Sequence, residues 1–345
     1  MVVGLGGTIA MTAADSGGVA PALSAQQLVE AVPGLADTGI MLDVVTFRSK
    51  PGASLTIDDL TELAALAARQ IDTGAAGIVI TQGTDTIEES AYALDLLHAG
   101  PEPIVVTGAM RNPTLAGADG PANLLASITV AASPTARNLG CLVVLADEIH
   151  AARRVRKTHS TSIATFASPN AGPLGYLVEG QAHIVNQLTS RHALPPPTPG
   201  TAPRVGLYTA TLGDEGAVLA AVADQLDGLV IAGFGAGHVP ERWLPTLTQV
   251  AARIPVVLAS RTGGGPVLTS TYGFPGSERD LLNRGLIASG LLHPYKARIL
   301  LHLMLKASAD REQIQSGFAA AGELAHPASW PWPSPVQHGD PTAEH

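Results

Sequence analysis

The sequence predicts an α/β fold of two α/β domains: a larger N-terminal domain with a mostly parallel (mixed) sheet, and a smaller C-terminal domain with a parallel sheet. Three observations carry this. Short runs rich in Val and Ile lack polar alternation, the pattern of strands buried on both faces. These runs alternate with longer segments bearing helix-start signals, as parallel sheets covered by helices require. Prolines at 195, 196, 197, 199 and 203 then divide the chain with an extended, semi-rigid segment.

The expected strands are Met1–Leu5, Met41–Phe47, Gly77–Thr81, Ile104–Thr107 and Cys141–Ala146, followed by Arg204–Tyr208, Gly228–Ala232 and Pro255–Ala259. Between them, Ser24–Ala31 opens on a good cap residue and stops near Pro33. Thr56–Thr73 begins Thr-Ile-Asp-Asp, with acidic residues in its first turn. Glu88–Ala99 follows Asp85 and Thr86, each with a Glu three positions on, so two capping-box patterns overlap there. Pro121–Ala132 has proline in its first turn. Further helices are expected over Glu215–Leu226, Trp243–Ala252, Glu278–Ala288 and Pro294–Ala307. The expected domains are 1–193 and 204–325, with a proline-rich linker at 194–203 and a proline-rich tail at 326–345. Trp330 and Trp332 in that tail either pack back on the body or fray.

Hydrophobic residues make up 46% of the 345 residues and aromatics only 4%, so small aliphatics fill a sizeable core. The net charge of −9 argues against nucleic acid as a partner, because phosphate contacts need a basic face. No apolar run reaches the roughly 18 residues of a membrane span, and no basic-then-apolar leader precedes the first strand. The single cysteine, Cys141, sits in an apolar run and reads as a buried core thiol. A soluble cytoplasmic protein is expected.

Two glycine–threonine turns follow predicted strands: Gly6-Gly7-Thr8 and Gly83-Thr84-Asp85. A hydroxyl on a glycine-flanked turn at a strand's end is exposed and approachable, as a nucleophile must be. Ligands of open α/β sheets bind at those carboxyl ends. The competing role for Thr84, Asp85 and Thr86 is to cap the following helix, although three such residues crowd one turn. The Gly4-Leu5-Gly6 segment fails as a dinucleotide fingerprint because its third glycine position is Ile9, and no Gly-Lys-Ser/Thr phosphate loop occurs. Gly233-Phe234-Gly235-Ala236-Gly237 has the wrong spacing for a pyrophosphate. The basic run Arg153–Thr158 is either a charged surface loop or the source of a lysine that loses its proton in a closed cleft and activates a threonine. Asp147, Glu148 and His150 match no strong metal spacing, so no metal site is expected.

Taken in order, these pieces resemble the bacterial-type asparaginase/glutaminase family over nearly the whole chain. Gly6-Gly7-Thr8-Ile9-Ala10 matches its first signature and Thr81-Gln82-Gly83-Thr84-Asp85-Thr86-Ile87-Glu88-Glu89 its second. Val106–Arg111, Ala118–Leu124, Lys157-Thr158, Ala164–Phe166, Gly172–Gly175 and Lys296–Arg298 follow in the family's order. The resemblance implies hydrolysis of L-asparagine through a threonine acyl-enzyme. It implies Thr8 as nucleophile, Thr84 and Lys157 as an activating pair, and Asp85 as the holder of the substrate's α-ammonium. Backbone near Thr84 and Ala109 is implied to orient the amide and stabilise the oxyanion. No metal or organic cofactor is implied. The implied assembly is a homotetramer or homodimer with shared active sites.

The chain also departs from the family pattern. It has no tyrosine before Tyr92, and Asp15–Ala22, where the family has a mobile loop, is glycine-rich. The family's carboxylate-binding serine and following glutamine fall near Gly52 and Ala53, so Ser54 is the candidate replacement. Ala236 stands where the family often has asparagine, and Glu278 is the candidate for an acidic residue supplied by a partner subunit. The reaction class is thus better marked than the substrate, and a glutaminase, a D-amino-acid amidase or a weakly catalytic amino-acid-binding homologue stands as the alternative.

Overall fold

Aliphatic strands buried on both faces organise the chain around two sheets. The computed structural model describes residues 1–13, 19–21, 23–198, 200 and 202–335. They divide into two units, one built on Met1–Ala193 and the other on Leu194–Pro333.

In the first unit the strands are β1 (Val2–Gly4), β2 (Met11–Ala13), β3 (Val19–Pro21), β4 (Val44–Thr46), β5 (Ile78–Thr81), β6 (Ile104–Thr107), β7 (Cys141–Leu145), β8 (Glu148–Ala151), β9 (Arg156–Lys157), β10 (Phe166–Ala167), β11 (Gly175–Val178) and β12 (Gln181–Ile184). Its helices are α1 (Ala25–Glu30), α2 (Ile57–Asp72), α3 (Ile87–Leu97) and α4 (Gly120–Ala132). Eight strands form one sheet in the order β12-β11-β8-β7-β6-β5-β1-β4. The run from β4 to β7 is parallel, while β8, β11 and β12 pair antiparallel. The sheet is therefore mixed. Along β5 to β7, Val79, Val105, Leu142 and Val144 pack on one face with Leu124, Ile128 and Val130 of α4. The alternate residues Ile78, Ile80, Ile104, Val106 and Val143 pack on the other face with Leu63 of α2 and Ala91 and Leu94 of α3. Helices on both faces explain why these strands read as continuous apolar runs.

The second unit holds four parallel strands, β13 (Val205–Thr209), β14 (Gly228–Gly233), β15 (Val256–Ser260) and β16 (Ile287–Ala288), in sequential order. Its helices are α5 (Ala217–Val222), α6 (Leu244–Arg253), α7 (Glu278–Asn283), α8 (Pro294–Lys306) and α9 (Arg311–Ala321).

Several elements differ from the sequence expectations. The helix expected over Glu278–Ala288 stops at Asn283, because the chain turns at Gly285 to feed β16. α9 was not anticipated, although Asp310 and Gln313 form a capping box at its start. Helical structure expected over Glu215–Leu226 begins only at Ala217 and ends in a 3-10 turn at Ala223–Gln225. Of the proline-rich tail, Trp330 is buried and meets Trp332 edge-on at 5.1 Å between centroids. Tail residues 336–345 lie outside the described residues, as do 15–18 and 22 of the Asp15–Ala22 segment. Among the described residues no helix is long and apolar enough to cross a membrane.

Candidate active site

Strand register collects the turns of interest at one sheet edge. Gly4 of β1 lies opposite both Thr46 of β4 and Thr81 of β5, and Thr81 lies opposite Thr107 of β6. These strands are parallel, so their following turns emerge side by side: Gly6–Thr8, Arg48–Ser54, Gln82–Thr86 and Gly108–Arg111. Backbone bonds stitch the edge together, from Lys50 N–H to the Leu5 carbonyl at 2.9 Å and from Gln82 N–H to the Thr107 carbonyl at 3.0 Å.

The two glycine–threonine turns touch through their backbones. Gly7 has φ +90°, and a Cβ on it would collide with the Gly83 backbone nitrogen. Only glycine meets both conditions, the left-handed angle and the close approach. Thr8, half-buried, begins the 3-10 turn Thr8–Ala10 directly after this contact. Thr84 opens the 3-10 turn Thr84–Thr86 that leads into α3, and it is buried.

Lys157, carried on β9, reaches this turn. Its Nζ donates to Thr84 Oγ1 at 2.9 Å and to Asp85 Oδ1 at 2.9 Å. The lysine side chain is 13% exposed whereas that of Asp85 is 70% exposed, so the carboxylate presents its free face to solvent. Four of the sequence-predicted residues, Thr8, Thr84, Asp85 and Lys157, thus belong to one edge. The capping boxes expected at α3 do not form. Thr86 is its N-cap residue but makes no side-chain cap bond, donating instead to the Gly52 carbonyl at 3.1 Å. Asp85 is occupied by Lys157.

Ser54 ends the 3-10 turn Gly52–Ser54, held against the Thr84 turn by Thr86. The buried Gln82 backs that link, donating from Nε2 to the Gly83 carbonyl and Thr86 Oγ1 and accepting from Ser90 Oγ at 2.8 Å. Ser54 itself is exposed. The same loop is clamped from behind by Asp59, which accepts from Lys50, Arg48 and both the N–H and hydroxyl of Thr56. Burial pushes the Asp59 carboxyl up, but these bonds outweigh it and hold it well below the usual carboxylate range.

Ala109 is fully buried, so it offers the site only backbone. A Cβ on the preceding Gly108 would lie 2.6 Å from the Gln82 carbonyl oxygen, which measures how tightly this turn abuts the Thr84 turn. Asn123 Nδ2 donates to the Gly108 carbonyl, and Asp119 accepts from the N–H groups of Met110 and Arg111. Gln82, Thr86, Ser90, Asp119 and Asn123 were not singled out as site residues in the sequence. All lie in or beside motifs that were, and only their contacts reveal what they hold.

Glu278 lies in the second unit and is fully buried there. Oε1 accepts from the N–H groups of Thr271 and Tyr272, and Oε2 faces His238 Nε2 at 3.2 Å. Burial pushes this carboxyl up, but those bonds outweigh it and lower it overall. Within its own unit it anchors the Thr271–Phe274 loop rather than presenting a free carboxylate. His150 Nε2 stands 3.1 Å from Glu148 Oε2 and its Nδ1 3.0 Å from Ser168 Oγ. Among the described residues no group of three or more His, Cys, Asp or Glu is arranged to hold a metal ion.

An amine hydrogen-bonded to one hydroxyl, on a turn abutting a second hydroxyl, is an arrangement for nucleophilic acyl chemistry. Comparison with known proteins gives the family. Residues 1–190 match the N-terminal asparaginase domain and residues 204–318 the glutaminase/asparaginase C-terminal domain. The chain belongs to the asparaginase family. Among relatives of this asparaginase-family chain, “Probable L-asparaginase” of Deinococcus radiodurans is 35% identical over 319 residues, covering 91% of this chain and 94% of that protein. “L-asparaginase 2” of Escherichia coli is 34% identical, covering 92% of this chain and 91% of that protein. “Glutaminase-asparaginase” of Pseudomonas aeruginosa is 31% identical, covering 92% and 89% respectively. The crystal structure of a probable cytoplasmic L-asparaginase from Campylobacter jejuni superposes with a TM-score of 0.82 at 31% identity, covering 92% of this chain and 98% of that one.

Proposed function

We propose that this asparaginase-family protein hydrolyses L-asparagine to L-aspartate and ammonia through a threonine acyl-enzyme. The observation that carries the reading is the 2.9 Å bond between Lys157 Nζ and Thr84 Oγ1, on a turn in backbone contact with that of Thr8. In the first step Thr8 Oγ attacks the side-chain amide carbon, its proton passes to the leaving nitrogen, and ammonia departs as the ester forms. In the second step water adds to the ester, the threonine oxygen leaves and recovers a proton, and aspartate is released. Thr84 and Lys157 serve one of these transfers. To accept a proton the lysine nitrogen must carry a lone pair, so the working form is the neutral amine. Asp85, bonded to Lys157 on one side and open on the other, takes the substrate's α-ammonium. Ser54 holds the substrate carboxylate, and backbone near Thr84 and Ala109 steadies the oxyanion.

The relatives named as L-asparaginases support this reading. A cytoplasmic location is part of the proposal, supported by the Campylobacter jejuni relative's description. So is a homotetramer or homodimer with shared active sites, which light scattering checks. Ammonia release from L-asparagine tests the reaction, and Thr8→Ala is expected to lower kcat by about 10³-fold or more. An alanine variant with wild-type turnover removes Thr8 as nucleophile. A second reading, preference for glutamine, is favoured by the departure at Gly52-Ala53-Ser54 and by the Pseudomonas aeruginosa relative. One methylene in a pocket is worth about 10–200-fold, so kcat/KM measured for both amides separates the two readings.

A further inference from the structure

We propose that Glu88 is a positioning residue for Lys157, holding β9 against α3 so that the amine reaches Thr84. The inference rests on the reading of Thr84 and Lys157 as a working pair. Lys157 has a long side chain and a short strand. β9 is two residues long and pairs with β10 in a separate ribbon, outside the eight-stranded ladder that fixes the other turns of the site. Apolar anchors of that ribbon are Val155, fully buried just before β9, and Phe166, opposite Lys157 and packed into the core on the α3 side.

The polar link is Glu88. It stands in the first turn of α3 and is only 5% exposed, a place where a carboxylate is costly unless it is bonded. The Lys157 N–H donates to its Oε1 at 3.4 Å, and Arg156 Nε stands 3.8 Å from its Oε2. One oxygen therefore takes the peptide N–H of the residue whose amine serves Thr84. The other faces the guanidinium of the preceding residue. Glu88 also follows Thr84 by four positions, across the 3-10 turn Thr84–Thr86 that runs directly into α3. Hydroxyl and carboxylate thus lie on one continuous turn-and-helix segment, and the 2.9 Å Nζ–Oγ1 bond closes the circuit between that segment and β9. Loosening Glu88 lets β9 shift relative to α3. A displacement of about 1 Å at a reacting group costs about 10²-fold in rate.

The test is steady-state kinetics of the full chain on L-asparagine. Glu88→Ala is expected to lower kcat by about 10²-fold and Glu88→Gln, which keeps an acceptor but loses the charge, by about tenfold. KM is expected to stay within about threefold, because Asp85 is untouched. In a Lys157→Gln background, Glu88→Gln is expected to change kcat by less than about twofold, since the two residues act as a unit. A general loss of structure does not produce that non-additivity. Should Glu88→Ala fail to fold, Glu88→Gln loosens the same grip at near-constant volume and Arg156→Gln removes the facing charge, each with an expected loss of about tenfold. Wild-type kcat in Glu88→Gln, or equal losses with and without Lys157, overturns the positioning role and leaves the proposed reaction standing. A Lys157→Gln variant with wild-type turnover overturns both.

Discussion

At the scale of single residues, the basic run Arg153–Lys157 resolves into unequal members. Lys157 points its amine at Thr84 and Asp85, whereas Arg154 closes a local turn with its N–H on the Ala151 carbonyl. Lys157→Met is accordingly expected to lower kcat for asparagine by about 10²-fold or more, while Arg154→Ala stays within about threefold of wild type. Equal losses from the two variants count against a specific role for Lys157. The choice between lysine and its basic neighbours was not legible in the run itself, where Arg153, Arg154, Arg156 and Lys157 share a charge. The family resemblance pointed to Lys157, and the fold brought it 73 positions in sequence back to Thr84. Glu278 shows the reverse. Its acidity was plain in the sequence, but its burial beneath Tyr272 N–H and His238 depends on contacts that no local pattern encodes.

At the scale of elements, helix starts were well marked, yet their caps were shared differently than expected. α2 starts with a true capping box: Thr56 Oγ1 accepts from Asp59 N–H, and Asp59 reaches back to Thr56 N–H at 3.0 Å. Because Asp59 also clamps Lys50 and Arg48, this cap fastens the loop that carries Ser54. Thr56→Ala is expected to lower stability by about 1 kcal/mol, read as a fall of about 2–4 °C in Tm. An unchanged Tm removes the cap from the stability of this loop. α3 lacks the cap its sequence advertises, because Thr86 spends its hydroxyl on Gly52 and Asp85 binds Lys157. Where local capping chemistry is present but unused, its groups are engaged by the site. β8, β11 and β12 escaped prediction for a related reason: they extend the sheet at its edge, and β11 and β12 alternate in exposure instead of running apolar.

At the scale of the whole molecule, stability depends on pH through two buried histidines and one clamped carboxylate. His192 is buried beside Arg153, and burial first, then the neighbouring charge, pushes its imidazole down to about 3. Burial lowers His98 as well. Both are neutral in the folded chain over a range where the unfolded chain protonates them, so their contribution is fully present above about pH 6.5 and is lost as pH falls below it. Asp59 adds a second loss below about pH 4, where the unfolded carboxyl takes up protons that the folded one refuses. Tm is expected to fall from pH 7 to pH 5, and His192→Gln to flatten that slope. A slope unchanged in the variant removes His192 from the account. By itself the sequence determined the α/β class, the order of the parallel strands' apolar runs and the two glycine–threonine turns, because periodicity and turn chemistry are local. Only tertiary structure decided that those turns abut, that the Lys157 amine reaches Thr84 Oγ1, and that Glu88 and Asp59 bind the surrounding loops. These outcomes depend on parallel register and on contacts tens of residues apart, which the fold alone creates.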